Sequence, residues 1–81
     1  MQDNQAPKTS IWGEVETAEK HAEGVYFLTT PGHGGYYLTP EQNAKIPLEF
    51  REATFMGNGM NGWYEEDCDA AIIHEFFNLL V

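Results

Sequence analysis

Residues 25–39 constrain the fold of this 81-residue chain more than any other stretch. Residues 25–30 and 35–39 are both rich in β-branched and aromatic side chains, and the residues between them read PGHG. Such runs favour strands, and Pro31 followed by Gly32 suits the two central positions of a type II turn. The sequence therefore predicts an antiparallel β-hairpin over residues 25–39.

The size and composition of the chain limit it to a small folded domain. A chain of 81 residues buries only about 60% of the surface of its unfolded state, so little core is left to surround a deep catalytic cavity. Cys68 is the only cysteine, so no intrachain disulfide can form, as in proteins of a reducing compartment. The N-terminus has no signal-peptide pattern, and no stretch approaches the roughly 20 apolar residues that span a bilayer. We therefore expect a cytoplasmic protein that does not cross a membrane.

The N-terminal part of the chain gives weaker structural signals. Residues 1–10 are polar and have no apolar period, which predicts a flexible tail. Residues 12–16 alternate as in a strand, and Thr17 suits the N-cap of a short helix over residues 18–23. A single helix over residues 12–23 is the alternative.

The segment after the hairpin predicts short helices and a loop. Thr39 suits an N-cap and Pro40 the first position of a helix, which Pro47 stops before another turn begins. Residues 54–62 read TFMGNGMNG, and two Asn-Gly steps are typical of a mobile loop or a tight turn. We interpret this stretch as a loop.

The C-terminal residues predict the longest helix, over residues 64–80. Carboxylates in its first turn complement the helix dipole. Its apolar side chains cover more than half of the circumference and place Cys68 in the core, whereas Asp69 falls among them and needs either a buried partner or a route to solvent. The expected fold is a single α+β domain over residues 11–81, in which a small antiparallel sheet built on the 25–39 hairpin packs against this helix.

Charge is the most informative total of the composition. Thirteen acidic residues against four basic ones give a formal net charge of −9. Direct nucleic-acid binding is disfavoured, because neutralisation of phosphates by Lys and Arg supplies most of the affinity. A basic protein partner is favoured, although an acidic surface also serves solubility alone.

The sequence shows no arrangement typical of a catalytic or metal site. Its histidines His21, His33 and His74 and its single cysteine lack the spacings of metal-binding motifs, and PGHGG joins strand to strand without a basic residue. Asp67 and Asp69 flank Cys68 and oppose formation of its thiolate. We therefore expect no metal, no cofactor, no catalytic residue and no enzymatic activity. A small metal- or thiol-dependent enzyme is the alternative.

His33 has two interpretations, as an exposed turn residue or as a residue folded back onto the domain. We favour a structural role in which its imidazole lies near Glu66 or Asp69, with the glycines beside it allowing close backbone packing. The residues to which we assign structural roles are His33, Gly34, Gly35, Trp63 and Asp69.

Two motifs, HGGYYLTPEQNAKIP and GWYEEDCDAAI, resemble an uncharacterised family of small domains encoded by phages, plasmids and other mobile elements. The resemblance covers about residues 12–80, and its signature falls on His33, Gly34 and Gly35 and on residues 63–68. The TFMGNGMN stretch departs from the family, because it is longer than the usual link between the motifs. The family is a domain of unknown function and brings no established activity.

The resemblance implies a phage-encoded, non-enzymatic inhibitor of a bacterial defence system, with an anti-CRISPR protein as the first choice, acting in the host bacterial cytoplasm. Its carboxylates would stand in for phosphates on a basic nucleic-acid-binding surface of the defence complex. The expected partner-binding residues are Glu14, Glu16, Glu19, Glu23, Tyr64, Glu65, Glu66 and Asp67. An accessory protein-interaction domain with an ordinary acidic surface is the other alternative.

Overall fold

A computed structural model of the chain describes residues 6–77. It confirms the α+β class, with antiparallel sheets, short helices and a C-terminal helix. The strands are β1 (Thr9–Ser10), β2 (Gly13–Glu14), β3 (Thr17–Ala22), β4 (Val25–Thr29), β5 (Gly34–Leu38) and β6 (Trp63–Glu65). The helices are α1 (Pro40–Asn43), α2 (Leu48–Glu52), a 3₁₀ segment (Phe55–Asn61) and α3 (Ala70–Phe77).

The hairpin predicted over residues 25–39 is confirmed and forms the centre of a four-stranded antiparallel sheet with the order β3-β4-β5-β6. Val25 pairs with Leu38 and Phe27 with Tyr36, so their side chains share one face of the sheet. The connecting turn is not the predicted type II turn, because Gly32 does not have the positive φ that this turn requires at its third position.

Residues 17–22 form a strand, so the helix predicted over residues 18–23 is wrong, as is its alternative over residues 12–23. The local capping signal at Thr17 competes with the ladder offered by β4, in which Thr17 pairs with Thr29 and Lys20 with Tyr26. Strand pairing is favoured because it satisfies a row of backbone hydrogen-bonding groups along the edge of the hairpin. β3 is the outer strand on this side of the sheet, and its residues from Thr17 to His21 are exposed.

The N-terminal segment crosses one face of this sheet. Thr9–Ser10 pair with Gly13–Glu14 in a two-stranded ladder, and the Val15 N–H donates to the Lys8 carbonyl over 3.1 Å. Part of the predicted tail is thus hydrogen-bonded structure, whereas residues 1–5 lie outside the described residues. The turn between β1 and β2 carries Trp12 onto the sheet.

The C-terminal helix begins at Ala70, so the start predicted at residue 64 is wrong. Residues 63–65 pair instead with residues 35–37 of β5, and the Asp69 N–H then donates to the Glu65 carbonyl over 2.8 Å in the turn that follows. Cys68 lies in this turn and is exposed, which corrects its predicted place in the core. Residues 78–80 of the predicted helix lie outside the described residues.

The hydrophobic core lies between the sheet and the helices. Its buried side chains come from β4, β5, β6, α3 and the link between α1 and α2. They are Val25, Tyr36, Leu38, Ile46, Tyr64 and Ile73. Pro40 begins α1 as predicted, and Pro47 immediately precedes α2. Within the described part of the chain, no helix has the length and apolar character needed to cross a membrane.

Candidate functional site

The two motifs of the sequence lie side by side in the sheet. Gly35 pairs with Glu65 and Tyr36 with Tyr64, so the HGG segment and the WYE segment are neighbouring strands. A Cβ atom on Gly35 would lie 2.5 Å from the Tyr64 carbonyl oxygen and 2.6 Å from the Trp12 ring. Close approach of a paired strand and an aromatic ring therefore requires glycine at this position.

The remaining structural residues of the motifs hold the same corner together. A Cβ atom on Gly34 would lie 2.9 Å from the Leu28 carbonyl oxygen. Trp63 is half-buried between Trp12, whose ring centroid is 5.7 Å away in an edge-on arrangement, and Tyr37, at 4.7 Å. These aromatic contacts fix the N-terminal turn against the sheet.

Glu65 supports the turn that follows β6. Its Oε1 atom accepts hydrogen bonds from the Asp67 N–H over 2.7 Å and from the Cys68 N–H over 2.9 Å, and its side chain is only 12% exposed. Its Oε2 atom lies 3.8 Å from Nδ1 of His33. Glu65, and not the predicted Glu66 or Asp69, is therefore the residue whose carboxylate lies within 4 Å of the His33 ring nitrogen. Its carboxylate is occupied within the domain.

His33 acts in the hairpin mainly through its backbone. Its N–H donates to Thr30 Oγ1 over 3.1 Å, and its carbonyl accepts from the Thr30 N–H over 2.8 Å. The imidazole itself is 61% exposed. The imidazole is therefore open to solvent and available to line a surface.

Tyr64 lies in the core and is therefore separate from the exposed carboxylates with which the sequence grouped it. It is fully buried, and its hydroxyl donates to Oδ1 of Asn43 over 2.5 Å. Burial raises the pKa of Tyr64 to about 12; Arg51 acts in the opposite direction and Asp69 adds to the rise. The hydroxyl thus stays protonated as the donor of an internal hydrogen bond.

The predicted acidic surface divides into two patches. We call Glu14, Glu16, Glu19 and Glu23, which are exposed in β2, the link from β2 to β3, β3 and the turn after β3, the edge acidic patch. Glu66 and Asp67, exposed just after β6, form the turn acidic patch. The strand order places β3 and β6 at opposite edges of the sheet, about 14 Å apart at the usual strand spacing. No local pattern in the sequence indicates this separation.

The surroundings of Cys68 disfavour its thiolate form. Local desolvation, a hydrogen bond to Glu65 and the charges of Glu65, Asp69 and Asp67 raise the pKa of the thiol. A nucleophilic cysteine needs a lowered pKa. Among residues 6–77, no group of three or more His, Cys, Asp or Glu side chains is placed to hold a metal ion.

Two of the histidines serve as packing groups around Tyr36. The rings of His21 and His74 contact it edge-on, with centroid distances of 5.4 Å and 5.7 Å. Nδ1 of His74 is buried without a hydrogen-bond partner among the described residues, and Nε2 of His21 lies 2.8 Å from Glu19 Oε1. The arrangement covers one side of the tyrosine ring rather than orienting an imidazole toward a cavity.

Residues 54–62 form an ordered, internally hydrogen-bonded segment, which corrects their interpretation as a loop without regular structure. Thr54 Oγ1 accepts from the Gly59 N–H over 2.7 Å and donates to the Arg51 carbonyl over 2.7 Å. Asn43 Nδ2 donates to the Gly59 carbonyl over 2.8 Å. The buried Asp69 accepts a hydrogen bond from the Phe55 N–H with both carboxylate oxygens, at 3.1 Å and 3.3 Å.

This segment presents apolar side chains to solvent. Met56 is 82% exposed and Phe55 54% exposed. They line a surface groove of about 440 Å³, here called the apolar groove, together with Ile11, Trp12, His33 and Asn58. Sequence reasoning missed this groove, although a Phe-Met pair inside a glycine-rich stretch was a signal that could have pointed to it.

Comparisons with known proteins identify a family. The chain matches the model of the family described as a domain of unknown function, DUF7007, over residues 5–81. No curated protein and no solved structure shows significant similarity to it. Because the match spans nearly the whole sequence, including both strands of the HGG and WYE pair, this chain belongs to the DUF7007 family.

Proposed function

We propose that this domain is a non-enzymatic inhibitor that binds a basic, nucleic-acid-binding surface of a bacterial defence complex. The observation that carries the proposal is the edge acidic patch. Glu14, Glu16, Glu19 and Glu23 are exposed on the outer strand and the segments next to it, in a chain with a net charge of −9. Carboxylates on such an edge can occupy a surface that otherwise binds phosphates.

The local charge balance supports a basic partner. Within the edge acidic patch, Glu23 pairs with Lys20 over 3.1 Å, and Glu19 contacts His21. These pairs are exposed, so water and salt screen them and a partner can compete for the carboxylates. Association of such a patch with a basic surface is fast at low salt and slows as ionic strength rises.

The choice of target rests on the sequence motifs. HGGYYLTP and GWYEEDC resemble domains encoded by phages and plasmids, and small proteins of such elements often act against host defences. A CRISPR effector in the host bacterial cytoplasm is therefore the first target of the proposal. The raised pKa of Cys68 supports a binding role over thiol chemistry.

The test measures inhibition of target DNA binding by purified CRISPR effectors. Fluorescence anisotropy of labelled DNA would be followed as wild-type protein is added, at low and high salt. We expect inhibition that weakens at high salt, and a loss of at least about tenfold in the double variant Glu14→Lys, Glu16→Lys. The control variant is Glu52→Lys, Glu75→Lys, which makes the same charge change at exposed sites near the ends of α2 and α3.

Equal loss in both double variants would show that net charge alone acts and would contradict a specific edge patch. No inhibition by wild-type protein across a panel of effectors would remove the CRISPR target. Thermal unfolding of all variants establishes that each is folded before its inhibition is compared.

A further inference from the structure

We propose that the apolar groove and the turn acidic patch form one docking site for a basic segment of the partner that carries a single large apolar side chain. This inference rests on the proposed function, because it names a second contact with the same kind of partner. It assigns to the surface around Phe55 and Met56 an anchoring role that the edge acidic patch cannot supply.

The first step of the argument is the exposure of the groove. Phe55 and Met56 come from the 3₁₀ segment, whereas Ile11, 47% exposed, comes from the N-terminal turn. Ile11 meets Phe55 and Met56 at one groove although it is far from them in sequence. Scattered apolar side chains are normal on a protein surface, but a contiguous patch beside polar groups is typical of a binding site.

The second step is that the backbone beneath the groove is held in place. The Asp69 carboxylate accepts a hydrogen bond from the Phe55 N–H, and Thr54 Oγ1 accepts one from the Gly59 N–H. Met56 has φ 55° and ψ 20°, a left-handed conformation that a non-glycine residue adopts only at a conformational cost. The segment therefore holds an apolar side chain outward at a conformational cost. Anchors held rigidly before binding lose little entropy when they bind.

The third step is charge. His33 lines the groove and lies 3.8 Å from Glu65, and the next residues along the chain are the exposed Glu66 and Asp67. The Glu66 N–H donates to the Gly34 carbonyl over 3.0 Å, which keeps the turn acidic patch beside the same end of β5. The Glu66 carboxylate lies against Gly34, beside His33 but on the other face of β5 from Trp12, so it can complement Lys or Arg residues that flank an apolar anchor rather than line the groove itself.

The same charge argues against a second copy of the chain as the occupant. Two copies would each bring a net charge of −9 to the contact, and like charges at an interface oppose association. Phe55 and Met56 also indicate the kind of anchor. A thioether and an aromatic ring both make favourable contacts with an aromatic side chain, and tryptophan is enriched among the side chains that anchor interfaces.

The test uses two fluorescein-labelled peptides made of Lys and Arg, one with a single central Trp and one with Gly in its place. Binding would be followed by anisotropy with the full chain. We expect wild-type protein to bind the Trp peptide at least about tenfold more tightly, a difference of about 1.4 kcal/mol. The double variant Phe55→Ser, Met56→Gly should bind both peptides equally, because it lacks the apolar anchor site.

Two further variants separate the contributions. Phe50→Ser removes an exposed aromatic side chain that packs on Phe76 rather than in the groove, and it should keep the preference for Trp. Glu66→Gln with Asp67→Asn should weaken both peptides by a similar factor and leave their ratio unchanged. Light scattering of wild-type protein and of the double variant measures the oligomeric state.

A wild-type protein without preference for the Trp peptide would overturn the inference, as would an equal loss in Phe50→Ser. A dimer that dissociates in the Phe55→Ser, Met56→Gly variant would assign the groove to a second copy instead. If the Trp preference is missing while Glu14→Lys, Glu16→Lys still abolishes inhibition of a defence complex, this inference fails and the proposed function stands. If instead the Trp preference is present while Glu14→Lys, Glu16→Lys leaves inhibition unchanged, the proposed function fails and this inference stands.

Discussion

Two glycine-rich stretches of this chain use glycine for different physical reasons. In PGHGG, residues 31–35, Gly34 and Gly35 have backbone conformations open to any residue but are buried where neighbouring atoms leave no room for a side chain. In the 54–62 segment, Gly57 has open space around it but a positive φ of 68°, which by itself favours glycine, whereas Gly59 and Gly62 are also packed too closely for a side chain. Glycine is thus required by close packing at Gly34 and Gly35 and by backbone conformation alone at Gly57.

The difference predicts which glycines tolerate substitution. A side chain added at Gly34 or Gly35 would displace the paired strands, because the atoms that it meets include their backbone carbonyl oxygens. Backbone conformation affects one residue at a time, and the 3₁₀ segment already accepts a non-glycine residue, Met56, in the left-handed region. Gly34 and Gly35 should therefore be more sensitive to substitution than Gly57.

Among the glycines of PGHGG, the largest effect is expected for Gly35→Ala. The new methyl group meets the Tyr64 carbonyl oxygen at 2.5 Å and the Trp12 ring at 2.6 Å, so β5 and β6 must separate or Trp12 must leave the sheet. We expect the free energy of unfolding to fall by about 3 kcal/mol in urea denaturation. A loss under about 1 kcal/mol would contradict close packing as the reason for glycine here.

Tyr64 connects the two stretches, because it pairs opposite Tyr36 in the sheet and its hydroxyl reaches Asn43 beneath the 54–62 segment. Tyr64→Phe leaves Oδ1 of Asn43 without this donor, and we expect a loss of about 1–2 kcal/mol at neutral pH. The measurement is urea denaturation, with Tyr37→Phe on the opposite face as the control.

The same variant tests the alkaline limit of stability. The folded-state pKa of Tyr64 is raised from 10.0 to about 12, so the unfolded chain loses this proton before the folded chain does. The contribution of Tyr64 is fully present below pH 10 and is lost as pH rises toward 12. Wild-type protein should therefore lose more stability over that window than Tyr64→Phe does. Equal losses in both would show that Tyr64 does not titrate differently in the folded state.

A smaller effect, and one of opposite sign at two neighbouring positions, is expected in the 3₁₀ segment. Gly57→Ala has open space but a φ of 68°, and it should cost about 1 kcal/mol. Met56→Gly relieves the same left-handed conformation and should raise stability by up to about 1 kcal/mol. Thermal unfolding of both variants gives the comparison. If both substitutions destabilise, the Met56 side chain contributes packing that outweighs its strain.

The smallest effect is expected for Gly32→Ala at the tip of the hairpin. A Cβ atom there meets nothing within 4 Å, and the φ of Gly32 is not positive. Replacing glycine at such a position reduces the entropy of the unfolded chain, so a gain of about 0.5 kcal/mol is expected. A measurable loss in thermal unfolding would show that the turn needs glycine after all.

The hairpin could be predicted because its signals are local, with two β-favouring runs on either side of a proline-glycine turn. The strand at Thr17–Ala22 could not, since a good N-cap and helix-compatible residues gave way to a ladder offered by β4. The Trp63–Glu65 strand was read as helix because its acidic residues and the apolar period behind it look continuous with α3. Pairing with Gly35 and Tyr36 decided otherwise.

The candidate site was predictable only in its composition. The sequence indicated exposed carboxylates, but the strand order that separates Glu19 from Glu66 depends on which strands pair across long sequence distances. The apolar groove joins Ile11 with Phe55 through the packing of Trp12 on Gly35, a contact without a local signal in either segment. Asp69 was recognised as anomalous within an apolar face, and the partner it required is the Phe55 N–H.

The contact between Trp12 and Trp63 gives the chain an internal optical reporter. One indole belongs to the N-terminal turn and the other to β6, and they meet edge-on with centroids 5.7 Å apart. They are the only two tryptophans in the sequence. Indole emission and near-ultraviolet circular dichroism therefore report directly whether the N-terminal segment is docked on the sheet. Any ligand that enters the groove beside Trp12 should change that signal without an added label.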